Sequence, residues 1–123
     1  MTPAETLAKA TAAARREGLE LAMLQQLRAL GLDDGMVRQH RIDAVHHGYV
    51  WDFVWPGVDK LTLEVNGGTW LKKSGHSTGK GLDRDAKKQA VAVIHGYRTL
   101  IATTTQVRSG VAAQWVMLAR GRE

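Results

Sequence analysis

The sequence predicts an α/β domain in which helix, two or three strands, helix, strand and helix follow one another. Three observations carry this. Two short runs, W-D-F-V-W (51 to 55) and L-T-L-E-V (61 to 65), are rich in Trp, Phe, Val and Leu with period-two alternation, and Pro56-Gly57 breaks them into a hairpin. A capping box at Thr2-Pro3-Ala4-Glu5 opens a helical stretch that Gly31 closes. An apolar stripe at helical spacing follows Thr103-Thr104 near the C-terminal end.

The first helix is expected over most of residues 3 to 30, with a bend at Gly18. Leu24 and Leu27 stand four and seven positions after Glu20, so this carboxylate lies either in line with the core-facing stripe or at its solvated edge. Asp33-Asp34-Gly35 is a turn, and residues 36 to 46 are expected to supply a first strand around Arg41 to Val45. His46 and His47 are adjacent, and adjacent strand residues point to opposite faces, which argues against a paired metal-ligand role. In the hairpin, pairing Trp55 with Leu61 sets Asp52 opposite Glu64, with Val50, Asp52 and Val54 on one face and Thr62, Glu64 and Asn66 on one face. Like charges so placed are destabilising unless something positive lies between them, and Mg²⁺ suits one or two carboxylates, several waters and a substrate phosphate.

Residues 67 to 82 form a Gly-rich basic loop without the spacing of a nucleotide-binding loop. A second helix is expected from Asp83 to His95, stopped by Gly96. Tyr97 to Ala102 reads as a strand. A last helix capped by Thr103 or Thr104 should bury Val107, Val111, Ala112, Trp115 and Leu118.

The chain has 123 residues, enough for one domain that buries about two-thirds of its unfolded surface. Having no Cys, it has neither a disulfide scaffold nor a thiolate zinc site, which fits a reducing cytoplasm. No apolar stretch approaches a membrane span and no signal-peptide layout is present, so no membrane partner is expected. A net charge of +5 and a pI near 9.9 favour a polyanionic partner. Lys72, Lys73, Lys80, Arg84, Lys87 and Lys88 cluster directly after the carboxylate hairpin, where a phosphate chain would pass, although any one of them is also accounted for by a solvated face.

These residues, with E-V-N-G-G-T-W (64 to 70), G-H-S-T-G-K-G-x3-D-x2-K (75 to 88), H-G-Y-R-T-L (95 to 100) and T-T-T-Q-V-R-S-G (103 to 110), resemble the PD-(D/E)XK superfamily, and within it small phage and prophage endonucleases, including Holliday-junction-resolvase-like nucleases. The resemblance runs from residue 20 to residue 115. It implies a restriction-endonuclease-like core, a mixed β-sheet flanked by helices in αβββαβα order. It also implies that Asp52, Glu64, the Val65 carbonyl and the first-helix acid Glu20 bind Mg²⁺ or Mn²⁺. The motif lysine is replaced by Asn66, which can contact a metal-bound water but carries no charge. In its place the resemblance offers Lys88 on the following helix, while Lys87 stands where the family has Glu.

The expected function is therefore metal-dependent hydrolysis of DNA phosphodiesters, with Asp52, Glu64, Asn66 and Lys88 as catalytic residues. Lys72, Lys73, His76, Lys80, Arg84 and Lys87 would contact DNA. His76 could also protonate the leaving oxygen, and Trp70 either stacks on a base or is structural. A small domain has little room for base reading, so branched, nicked, flap or mismatched DNA is the expected substrate. Resolving junctions would take a homodimer. The alternative is a non-catalytic DNA-binding or partner-binding module that retains the nuclease fold, favoured by Asn66 and Lys87. A small-molecule phosphohydrolase is disfavoured by the basic stretch. The expected location is the cytoplasm, that of a host cell if the chain is phage-encoded.

Overall fold

In the computed structural model, which describes residues 2–42, 48–66 and 80–122, helix α1 (Pro3–Ala29) begins with the reciprocal bonds of the Thr2/Glu5 capping box. It continues through Gly18 and ends where Gly31 takes φ +68°. There the Leu32 N–H donates to the Leu27 carbonyl and the Gly31 N–H to that of Arg28. This pattern satisfies two otherwise orphaned carbonyls and turns the chain toward the sheet.

Strands β1 (Val37–His40), β2 (Trp51–Trp55), β3 (Leu61–Val65) and β4 (Arg98–Ala102) form one mixed sheet in the order β1-β2-β3-β4. The first three are antiparallel and β4 runs parallel to β3. A parallel neighbour needs a crossover, which contains α2 (Lys80–Ile94). Beyond β4 come α3 (Thr104–Arg108) and α4 (Val111–Ala119).

The hairpin register is the expected one: Trp55 pairs with Leu61, Val54 with Thr62 and Phe53 with Leu63. Its five-residue connection closes at Lys60, whose φ is +47°. On one face Phe53, Trp55, Leu61, Leu63 and Val65 pack against Leu19, Met23, Leu24 and Leu27 of α1 and Val107, Ala112, Ala113 and Val116 of α3 and α4. Burial of a side chain of this size stabilises by about 1.5–3 kcal/mol, so this layer is the main stabilising element. On the other face Trp51, Val54, Ala92 and Tyr97 join the sheet to α2.

Four expectations need correction. The first strand lies at Val37–His40, within the expected 36 to 46 stretch but ahead of its expected centre at Arg41 to Val45. The Asp33 turn closes early, with the Met36 N–H on the Asp33 carbonyl, so pairing with β2 begins at once. Residues 43–47, with His46 and His47, lie outside the described residues. α2 starts at Lys80, ahead of Asp83, so the expected 67 to 82 loop loses its last three residues to the helix. The last helix is two helices, because Gly110 adopts φ +87° between α3 and α4. The break rotates the apolar stripe to Ala112, Ala113 and Val116, leaving Leu118 68% exposed. Finally, Trp51 packs with Val54 and not with Phe53 and Trp55. The two-residue alternation therefore fails at Asp52, and with it the expected sharing of one face by Asp52 and Val54.

Candidate functional site

Asp52 and Glu64 meet at the end of the hairpin ladder. The Cα pairing of β2 and β3 ends at Phe53 and Leu63, and past it the two carboxylates do the joining. The Asp52 Oδ2 accepts the Val65 N–H at 2.8 Å, and the Glu64 Oε1 accepts the Asp52 N–H at 3.2 Å. Each acid thus binds a backbone donor of the opposite strand, fixing both carboxylates to the sheet. Asp52 is 4% exposed. Burial, and then the charge of Asp52, push the Glu64 carboxyl above its usual value, against the opposing pull of Lys88.

Lys88 reaches this pair from α2. Its Nζ donates to Glu64 Oε1 at 2.8 Å and lies 5.2 Å from the centre of the Trp51 ring. Helix direction separates it from its neighbour: Lys87 and Arg84 are exposed, whereas Lys88 is turned inward. Glu20 comes from α1 on the other side, with its side chain 13% exposed, which favours the position in line with the core stripe over the solvated edge. Its Oε1 accepts a bond from Gln39 Nε2 at 3.0 Å, and the same Nε2 lies 3.3 Å from Asp52 Oδ1. The Arg38 guanidinium is 3.6 Å from Glu20.

Asn66 continues the parallel ladder by donating its N–H to the Ala102 carbonyl at 2.8 Å. It lines, with Trp51, Thr62, Glu64, Lys88 and Leu100, a cleft between sheet and α2 with about 60 Å³ of room. The Thr62 hydroxyl that lines it is buried without a hydrogen-bond partner among the described residues. Such a group costs free energy until something satisfies it.

The structure therefore brings together Glu20, Asp52, Glu64, Val65, Asn66 and Lys88 of the sequence-derived set. Arg84 and Lys87 stand on the exposed side of α2, and Lys80 begins that helix. Trp70, Lys72, Lys73 and His76 lie outside the described residues. Among the described residues no three His, Cys, Asp or Glu side chains converge closely enough to hold a metal on their own. Sequence reasoning missed Gln39, Arg38 and Thr62. Nothing in V-R-Q-H marks Gln39, since its part depends on a backbone conformation that no local pattern announces.

Comparison of the chain with family models, curated proteins and solved structures finds no match.

Proposed function

We propose that this chain is a Mg²⁺- or Mn²⁺-dependent DNA endonuclease with a restriction-endonuclease-like core, built on Asp52, Glu64 and Lys88. The observation that carries the reading is the lysine. Lys88 Nζ sits 2.8 Å from Glu64, so the charge absent at Asn66 is supplied from α2 to the same carboxylate.

The donor set suits a hard divalent cation. A buried carboxylate, Asp52, stands beside the half-buried Glu64, whose proton affinity is raised by burial and by Asp52 even with Lys88 in contact. Oxygen ligands of this number leave room for water and phosphate. Asp52 and Glu64, with the Val65 carbonyl, are the residues that would hold the ion, and Glu20, tied to Asp52 through Gln39, would join them only on drawing closer. A cation so bound would lower the pKa of its water and offset charge on the scissile phosphate.

The chain's own residues do the remainder. Backbone bonds to Asp52 and Glu64 pre-set the carboxylates, so little reorganisation accompanies the reaction. The Lys88 ammonium, half-buried at the cleft, stabilises negative charge developing on phosphate. Exposed Arg84 and Lys87, together with the basic 67 to 80 stretch, take flanking phosphates, which makes affinity depend on salt and little on sequence. Selectivity for branched, flap or mismatched DNA follows from shape. Junction resolution in the cytoplasm by a homodimer is the form this activity would take on four-way DNA.

A second reading is favoured by the same contact. A Lys88–Glu64 ion pair that serves only to compensate a buried acid, combined with Asn66 at the motif position, describes a DNA-binding module that has lost catalysis. The two separate on one comparison. For an endonuclease, Asp52→Ala and Glu64→Ala abolish Mg²⁺-dependent cleavage while DNA affinity is held or rises, because repulsion from phosphate is removed. Full activity in either variant overturns the site.

A further inference from the structure

We propose that Gln39 is a positioning residue whose side-chain amide holds the Glu20 and Asp52 carboxylates together as one acidic centre. This rests on the endonuclease reading above and deepens it.

Gln39 lies in β1 opposite Asp52, between the pairs Arg38–Phe53 and His40–Trp51. Its φ is +48°, a left-handed backbone that a residue with a Cβ adopts at a cost, above all inside a strand. Gln39 is exposed, so burial of its side chain does not offset that cost. What it gains is two charge-assisted hydrogen bonds from one nitrogen, to Glu20 Oε1 at 3.0 Å and Asp52 Oδ1 at 3.3 Å. The irregularity of β1 at Gln39 and that of β2 at Asp52 face each other across the ladder. Both serve to aim side chains at the same spot.

The residue type is informative. A lysine or arginine here would neutralise the two acids and compete with a cation. An amide bridges them while adding no charge, so the pair keeps its attraction for a divalent ion. Arg38 does not replace it, since its guanidinium is 41% exposed and stands 3.6 Å from Glu20, beyond hydrogen-bond distance. Without the amide, like charge drives Glu20 and Asp52 apart.

The test is Mn²⁺ binding by calorimetry, read beside the thermal midpoint, for the wild type, Gln39→Gly and Gln39→Ala. Glycine accepts the left-handed backbone without strain. A merely structural Gln39 predicts a lower thermal midpoint in both variants and unchanged metal affinity. Positioning predicts that both variants lose 10- to 100-fold in Mn²⁺ affinity, the usual effect of removing a group that orients a ligand, with the glycine variant at least as heat-stable as the wild type. Mn²⁺ affinity in Gln39→Gly equal to that of the wild type overturns this role alone. Absence of Mn²⁺ binding by the wild type overturns the endonuclease reading and this role together.

Discussion

Replacing Lys88 by Met keeps an apolar stem against Trp51 and removes only the ammonium, which isolates its contribution. In the folded protein that ammonium bonds Glu64 at 2.8 Å, with the two side chains 21% and 23% exposed. The pair thus lies between an exposed ion pair, worth up to about 1 kcal/mol, and a buried one, whose disruption costs about 3–5 kcal/mol. A loss of about 1–2 kcal/mol at neutral pH is the expectation after allowing for solvent screening. The pH dependence follows from Glu64. Its folded pKa is raised above 4.5, so the native state holds this proton more tightly than the unfolded chain does. Stability therefore falls as pH rises through the window from 4.5 up to the folded value. Lys88 pulls that value down, so its removal widens the window upward. Urea melts should show the Lys88→Met deficit near pH 7 and its shrinkage below 4.5, where Glu64 is protonated in both proteins and the ion pair is gone. In single-turnover cleavage the same variant should be slower by about 100-fold or more, as when one transition-state stabiliser is lost, with little change in DNA affinity. Lys87→Met, on the exposed side of α2, should stay within a few-fold of the wild type. Equal losses from both would refute the reasoning, since the lysines would then be only phosphate contacts.

Two further predictions test the site and its support. Asp52→Asn keeps an oxygen for the Val65 N–H and removes the charge that, after burial, raises Glu64. A carbon-13 titration should find the Glu64 carboxyl moved down toward its ordinary value while cleavage is lost, and an unmoved Glu64 would contradict the stated cause. Arg120, whose side chain is 5% exposed, donates to Asp59, Asp34 and the Leu32 carbonyl and lies 5.7 Å from the Trp55 ring centre. Arg120→Ala should cost about 1–3 kcal/mol in urea unfolding, because it removes the buried side chain that packs on Trp55 and its bonds to the Leu32 carbonyl and to Asp59. Arg122→Ala, at an exposed contact with Asp34, should be mild, and a comparable loss there would show that burial is not the deciding factor.

How far the sequence announces this structure differs from element to element. Capping boxes are local chemistry, and both the Thr2/Glu5 and Thr103/Gln106 boxes form. The hairpin register was legible because Pro56-Gly57 fixes the connection and an error of one residue would invert every side chain of two buried strands. Lys88 could be placed only through the family resemblance. Periodicity alone gives α2 a polar face without saying which lysine meets the sheet. The break at Gly110 was hidden because an apolar stripe can continue across a turn with a change of phase. Gln39 was illegible for a different reason. Its left-handed backbone is opposed by local propensity and is held by partners 19 and 13 positions away, so only the assembled fold specifies it.

The most direct test of the central claim is a cleavage assay of the wild-type protein with Mg²⁺ on linear, flap, mismatched and four-way-junction DNA, at two salt concentrations. The account predicts metal-dependent cuts concentrated near the branch, flap or mismatch, with affinity that falls steeply as salt rises. Sequence-specific cutting of perfect linear duplex would contradict recognition by shape, and no cleavage of any substrate with Mg²⁺ or Mn²⁺ would contradict the endonuclease itself.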